Sequence, residues 1–289
     1  MSLDEKRELI EEEHPAIPVC RQCELMDLSS SSVYYRGKGE SEENLICMKL
    51  IDEQYTKTPF YGYRKIRIML RENGYWVNGK RIRRLMKKLG LITLYPKKKR
   101  GLSIADKQHR TYRYLLNDVT IDRPNRVWCT DISYIKIGGR NYYLMAVMDW
   151  YSRYVLSWGI LKTMDAHSCV EVLKEALKTA RPEIFNSDQG RQFTSEVFID
   201  TLKDMGISIS MDGTGRCFDN IFIERFWRTV KYEDIFLKDY DGYKSLRQGL
   251  DRYFDFYNRE RYHEGLDYLS PETVYFGYKD SPLSHLKCA

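Results

Sequence analysis

The sequence predicts an α/β protein: a mixed five-stranded sheet flanked by helices, preceded by a small all-helical basic module. Three observations predict it. From Arg126 onward, short apolar runs of strand character and amphipathic runs of helical period follow in the order strand, strand, strand, helix, strand, helix, strand, helix. Residues 57 to 100 hold fifteen Lys or Arg against one acid, Glu72, so the +6 net charge of the 289 residues is concentrated in one stretch. Between Ser41 and Leu89, three segments of helical spacing are separated by Pro59 and Gly74. The length itself fits about two domains.

In chain order, Met1 to Glu13 is Glu-rich and is expected as a frayed helix or tail. Pro18 can open a short helix through Asp27, and Ser29 to Ser32 can cap another that includes Val33, Tyr34 and Tyr35. This order suggests a helix-turn-helix, but the stretch is acidic, which favours packing over contact with a polyanion. Leu45, Met48, Leu50 and Ile51 then mark a helix stopped near Pro59, and Tyr61 to Leu70 a second that ends around Gly74. Asn78 caps a third, Gly79 to Leu89, with Ile82, Leu85, Met86 and Leu89 as its apolar stripe and Lys80, Arg81, Arg83, Arg84, Lys87 and Lys88 elsewhere. Cations so little relieved by acids repel one another unless something anionic neutralises them, which points to nucleic acid. Arg64, Lys65, Lys80, Arg81 and Arg84 are the candidate contacts. From Pro96 to Asp122 the chain is polar and weakly periodic, as expected of a linker that crosses DNA.

Val127 to Ile137 reads as the first strand, with Gly138 and Gly139 as the turn. Asn141 to Trp150 is almost wholly apolar and hence central, and Tyr154 to Ile160 follows a Tyr151-Ser152-Arg153 turn. A helix from Ala166 to Thr179, a strand from Glu183 to Ser187, a helix from Ser195 to Met205 and a strand from Ile207 to Ser210 complete the sheet. On the next helix, Asp219 to Lys231, a turn of about 100° per residue puts Ile223, Phe226, Trp227 and Val230 on one side and Glu224, Arg228 and Lys231 on the neighbouring one. Asp219 or Asn220 can cap its start. Leu246, Leu250, Tyr253, Phe254 and Tyr257 form an aromatic stripe expected to pack in a core, and His263 reads as structural or near phosphate.

Three acids stand out by context. Asp131 lies in Trp128-Cys-Thr-Asp-Ile-Ser-Tyr134, Asp188 opens the turn Asp188-Gln189-Gly190 after an apolar strand, and Glu224 follows after thirty-five intervening residues. These blocks, with Lys231 seven residues beyond Glu224, resemble the three acidic motifs of DDE transposases and retroviral integrases, and in particular the catalytic protein encoded by the second reading frame of bacterial insertion sequences. The resemblance spans roughly residues 40 to 280, and Tyr61-Gly-Tyr-Arg-Lys-Ile with Val77-Asn-Gly-Lys-Arg81 resembles the helix-turn-helix region of the same family.

The resemblance implies a ribonuclease H-like catalytic core in which Asp131, Asp188 and Glu224 bind two Mg²⁺ or Mn²⁺ ions. It implies metal-dependent cleavage at element ends and strand transfer by a 3′-hydroxyl, with Lys231 near the cleaved phosphate and Arg228, Asn220 and Gln189 as further DNA contacts. A catalytically silent DNA-binding regulator and a nuclease that cuts without joining are the competing readings. The expected organisation is an N-terminal helical segment to residue 40, the helix-turn-helix domain from 41 to 95, a linker from 96 to 122, the core from 123 to 240, and a helical extension to 289. Expected partners are terminal inverted repeats and target DNA, further copies of the chain, and an upstream-frame protein, since no sustained heptad repeat is present.

No run approaches the roughly 18 apolar residues of a membrane span. Seven scattered cysteines, including the CxxC pair Cys20 and Cys23, fit free thiols in a reducing compartment better than a disulfide framework or a zinc site. A bacterial cytoplasmic, nucleoid-associated protein is the expectation.

Overall fold

The computed structural model describes residues 2–34, 39–95, 112–117, 119–212 and 221–277. The core is a five-stranded mixed sheet in the order β3-β2-β1-β4-β5. Its strands are β1 (Val127–Ile137), β2 (Arg140–Asp149), β3 (Val155–Leu161), β4 (Ile184–Ser187) and β5 (Ser208–Met211). The first three form an antiparallel meander, while β4 and β5 run parallel to β1. This is the ribonuclease H-like order, and each expected strand lies within a residue or so of its place.

Strand alternation splits the apolar residues between two faces. Val127, Cys129, Ile135 and Ile137 of β1, with Leu144, Ala146 and Met148 of β2, pack beneath α9 (Ile221–Val230) and α10 (Tyr243–Arg259). Trp128, Met145 and Val147 face the other way, against α7 (Ala166–Thr179) and α8 (Glu196–Asp204). The helix after β5 shows the expected division: Ile223, Phe226, Trp227 and Val230 are buried, and Glu224 and Arg228 are exposed.

Ahead of the core, α1 (Leu3–Glu8), α2 (Val19–Leu25) and α3 (Ser30–Tyr34) precede a three-helix module of α4 (Glu42–Lys57), α5 (Tyr63–Glu72) and α6 (Gly79–Lys88). The Asn78 side chain caps α6 by accepting from the Arg81 amide, and Ile66, Leu70, Ile82 and Leu85 close the module's own core. Cys20 is exposed, and Cys23, Cys47, Cys129 and Cys169 are buried free thiols. No helix among the described residues is long and apolar enough to cross a membrane.

Two expectations change. Most of the stretch read as a linker, including Pro96 to Arg100, lies outside the described residues. Its end, however, belongs to the core: Leu116 is buried against the sheet, Val119 and Ile121 pack beside it, and the Leu115 amide donates to Ser210 Oγ at 3.1 Å. Apolar side chains every few residues carry that segment along the sheet without regular secondary structure. Some cations of the basic stretch, in turn, are neutralised by acids from outside it. Glu40 and Glu43, which precede the cationic stretch in sequence, fold back onto α6.

Candidate active site and nucleic-acid interface

Strand parity and register place the first two acids. Asp131 shares the parity of Val127 and Cys129, so it points to the face covered by α9. β1 and β4 pair in parallel as far as Cys129 opposite Asn186. Carried two residues beyond the paired stretch, that register leads from Asp131 to Asp188 just past the end of β4, and the Asp188 charge does act on Asp131. Carboxylates at neighbouring strand ends then meet the helix above: Trp227 Nε1 donates to Asp131 Oδ2 at 3.1 Å.

The loop after β4 is tightly drawn. The Gly190 amide donates to Asp188 Oδ1 at 2.9 Å, and a Cβ at Gly190 would stand 2.9 Å from that same oxygen. The Gln189 side chain, expected on DNA, donates to the Asp212 carbonyl at 2.8 Å and so ties this loop to the end of β5. Asn220 and the residues before α9 lie outside the described residues.

The electrostatics are those of a crowded acidic site. Burial pushes Asp131 up to about 7; the Asp188 and Glu224 charges add to this, while the Trp227 N–H and a backbone amide oppose it. Asp188 is also raised by burial, against the pull of the Gly190 amide. Lys231, just past α9, is lowered by burial and held up in part by Asp131. Hard oxygen donors whose charged forms are disfavoured until a cation arrives fit Mg²⁺ or Mn²⁺ in chemistry. Among the described residues no three acids, His or Cys close to joint ligating reach. Glu224 is exposed on α9, and its charge raises Asp131 less than that of Asp188 does.

Arg153 secures the first turn of α9. It adopts φ 63°, its guanidinium lies 3.3 Å from the Phe222 ring centroid, and Trp150 meets the same ring edge-on at 5.6 Å.

The candidate DNA contacts separate into groups. Arg64 and Lys80 are exposed. Arg81 donates to Asn44 at 2.7 Å and to Glu43 at 2.8 Å, while Arg84 and Lys88 both hold Glu40, whose carboxyl falls to about 2 through those hydrogen bonds. Lys65 is turned inward, 3.9 Å from Glu233 and 4.4 Å over the Tyr61 ring, and burial lowers it to about 7. Sequence reasoning left out of its contacts the cations that line the cleft between α6 and α9, namely Arg83, Lys87 and Arg225. The i, i+4 spacing of Arg83 and Lys87 was the available signal. It also missed the Trp227 N–H, because Trp227 was assigned to apolar packing alone.

Comparison with known proteins agrees with these features. Residues 121–217 and 205–271 match integrase core domain families, and residues 41–99 match an HTH-like domain. The transposase for insertion sequence element IS904 of Lactococcus lactis is 30% identical over 82% of this chain and 95% of its own length. The putative transposase InsK for insertion sequence element IS150 of Escherichia coli is 29% identical over 85% of this chain and 89% of its own. Among solved structures, the HTLV-2 integrase catalytic core domain in complex with magnesium overlays at a TM-score of 0.45 and 19% identity, covering 53% of this chain and 97% of that one.

Proposed function

We propose that this chain, which belongs to the insertion-sequence transposases with an integrase core, cuts DNA at element ends and joins it to a target through Asp131, Asp188 and Glu224. The observation that carries the reading is the juxtaposition of Asp131 and Asp188 at adjoining strand ends beneath the helix of Glu224 and its trailing Lys231. As a member of that family it is an enzyme of the polynucleotidyl-transferase type, and transposition is its function.

Asp131, Asp188 and Glu224 would together hold divalent cations, Mg²⁺ or Mn²⁺, which supply Lewis-acid activation of an attacking oxygen and neutralise charge on a leaving one. The chain's own groups do the rest. Trp227 holds one oxygen of Asp131 in place, and the Gly190 amide holds one oxygen of Asp188. Arg153 and Trp150 hold Phe222, and through it the turn that carries Glu224. Lys231, half-buried beside Asp131, is placed to meet a phosphate that enters the site. With water as nucleophile this frees a 3′-hydroxyl, and with that hydroxyl as nucleophile it joins strands, conserving phosphodiester energy without ATP.

The test is a strand-transfer assay with labelled DNA carrying the element's ends, in Mg²⁺ or Mn²⁺. Joined products should appear with the wild type and fall at least about 100-fold with Glu224→Gln, while DNA affinity stays within about twofold, as expected when a group acts mainly in the transition state. Cut ends without joined products would favour the nuclease reading. Equal loss of binding and cleavage would remove Glu224 from its assigned role.

A further inference from the structure

Past the ends of β4 and β5 stands an acid outside the proposed trio. Ser187 and Met211 pair as the last residues of these parallel strands, so Asp188 and Asp212 are each the first residue beyond them. Asp212 is bonded to three of the residues around Asp188. Its amide donates to the Ser187 carbonyl at 3.0 Å, its carbonyl accepts from Gln189 Nε2 at 2.8 Å, and its Oδ1 accepts from Asn186 Nδ2 at 2.9 Å. The first bond continues the strand ladder. The other two come from side chains on either side of Asp188 in the chain.

Burial makes the Asn186 bond costly to lose. The residue is fully buried, and its Oδ1 has no hydrogen-bond partner among the described residues. Its Nδ2 therefore depends on Asp212. Without that acceptor both polar atoms of the amide would be buried unsatisfied, two residues from Asp188, and the side chain would be driven to move. Beyond Asp188, the Gly190 amide draws in Asp188 Oδ1 at 2.9 Å, with no room for a Cβ at Gly190. That bond closes the turn upon itself without tying it to the sheet. Gln189 supplies a tie, and it too ends on Asp212.

We infer that Asp212 is a positioning residue for the reaction: its side chain and its carbonyl brace the turn of Asp188, through Asn186 before it and Gln189 after it. Partners of this kind fix the direction in which a ligating carboxylate presents its oxygens. Gln189 then serves this turn rather than DNA. The brace rests on the proposed function for the role of Asp188, though its geometry does not.

The test is amide hydrogen exchange at Gly190 without metal, followed by Mn²⁺ affinity from electron paramagnetic resonance, counting only the binding that Asp131→Asn removes. Gln189 is half-buried, so water can replace its lost amide and Gln189→Ala should leave the melting temperature nearly unchanged. It should nonetheless speed Gly190 exchange about fivefold, the value of one hydrogen bond, and weaken Mn²⁺ binding about tenfold. Asp212→Ala should do the same and also lower the melting temperature, because it strands Asn186. Asp212→Asn keeps an Oδ1 that can accept from Asn186 and removes only the charge, so both readouts should stay within about threefold of wild type. Asp212→Asn as damaging as Asp212→Ala would overturn the assignment, since the carboxylate would then act by its charge. So would exchange and affinity that neither Gln189→Ala nor Asp212→Ala alters. A wild type with no Mn²⁺ binding that Asp131→Asn removes would sink the metal reading, and the exchange at Gly190 would still decide the brace. Because no joined product is read, a chain that shows the brace but never joins DNA sinks the proposed function alone, and one that joins DNA with both readouts unmoved sinks the brace alone.

Discussion

Single residues in this chain are held in charge states that water would not favour, and His263 gives the clearest consequence. Its Nε2 is buried without a hydrogen-bond partner, its ring stands edge-on to Tyr257 at 5.0 Å, and burial together with Arg261, Lys65 and Arg153 depresses its pKa from 6.5 to about 2. The folded chain therefore keeps it neutral while the unfolded chain protonates it below pH 6.5. Above that value both states are neutral and there is no effect. As pH falls below it the unfolded state gains the proton first, so stability drops, by about 1 kcal/mol at pH 5.5 after allowance for partial exposure. The raised acids, Asp131 and Asp149 among them, work in the opposite sense, because the folded chain binds their protons first. They are common to wild type and His263→Phe, so the difference between two melting curves isolates the histidine. The loss of melting temperature between pH 7.5 and 5.5 should be smaller in His263→Phe, by about 2 °C; an equal loss would place the proton elsewhere.

At the scale of elements, the turn after α9 shows how one helix is locked against the next. Asp234 in the π-helical turn is fully buried and accepts from the Tyr240 hydroxyl at 2.6 Å and from Lys238. The Tyr240 ring then lies across α10 at Gly249, where a Cβ would stand 2.0 Å from the hydroxyl and 2.5 Å from ring carbons. Gly249→Ala gains helix propensity of up to about 1 kcal/mol but forces a buried ring aside, so the clash wins and the net cost is about 1–2 kcal/mol in urea denaturation. Tyr240→Leu combined with Gly249→Ala should cost less than the sum of the two singles. Additive costs would mean the ring is not what the glycine accommodates. Helix faces and strand bounds of this kind were legible in the sequence, because apolar periodicity is a local signal: β1 and α7 occupy the residues expected of them. The π-helical turn was not legible, since nothing in Lys231 to Ile235 departs from helical pattern. Nor was the adjacency of Asp131 and Asp188, which the register of two parallel strands sets and only the family resemblance anticipated.

Across the whole molecule, what the sequence hid is chiefly pairing between distant charges. Lys65 looked like a DNA contact because every acid that could claim it is far away in the chain, and the acid that does so is Glu233. Glu233 is 12% exposed at its side chain and accepts from Arg261 Nε at 2.7 Å and Nη2 at 2.6 Å, and from the Tyr253 hydroxyl at 3.1 Å. Arg261 holds it below the usual carboxylate range despite burial. One carboxylate thus joins the turn after α9, the C-terminal extension and the helix-turn-helix module, beside further contacts of Phe60 with Phe256 and of Tyr262 with Tyr61 and Glu72. Burying such a knot contributes little net stability, but removing its one anion strands Arg261 and Lys65 together in a low-dielectric site. Glu233→Ala should therefore cost about 3–5 kcal/mol, and the cost should fall unevenly. The module keeps its own core of Ile66, Leu70, Ile82 and Leu85, so it should remain folded after it separates from the sheet domain. Urea denaturation followed by tryptophan fluorescence should change from one transition to two, and Lys65→Met in the same chain should recover part of the loss by removing one stranded cation. A single transition at the wild-type midpoint would mean that the apolar contacts alone hold the two units together.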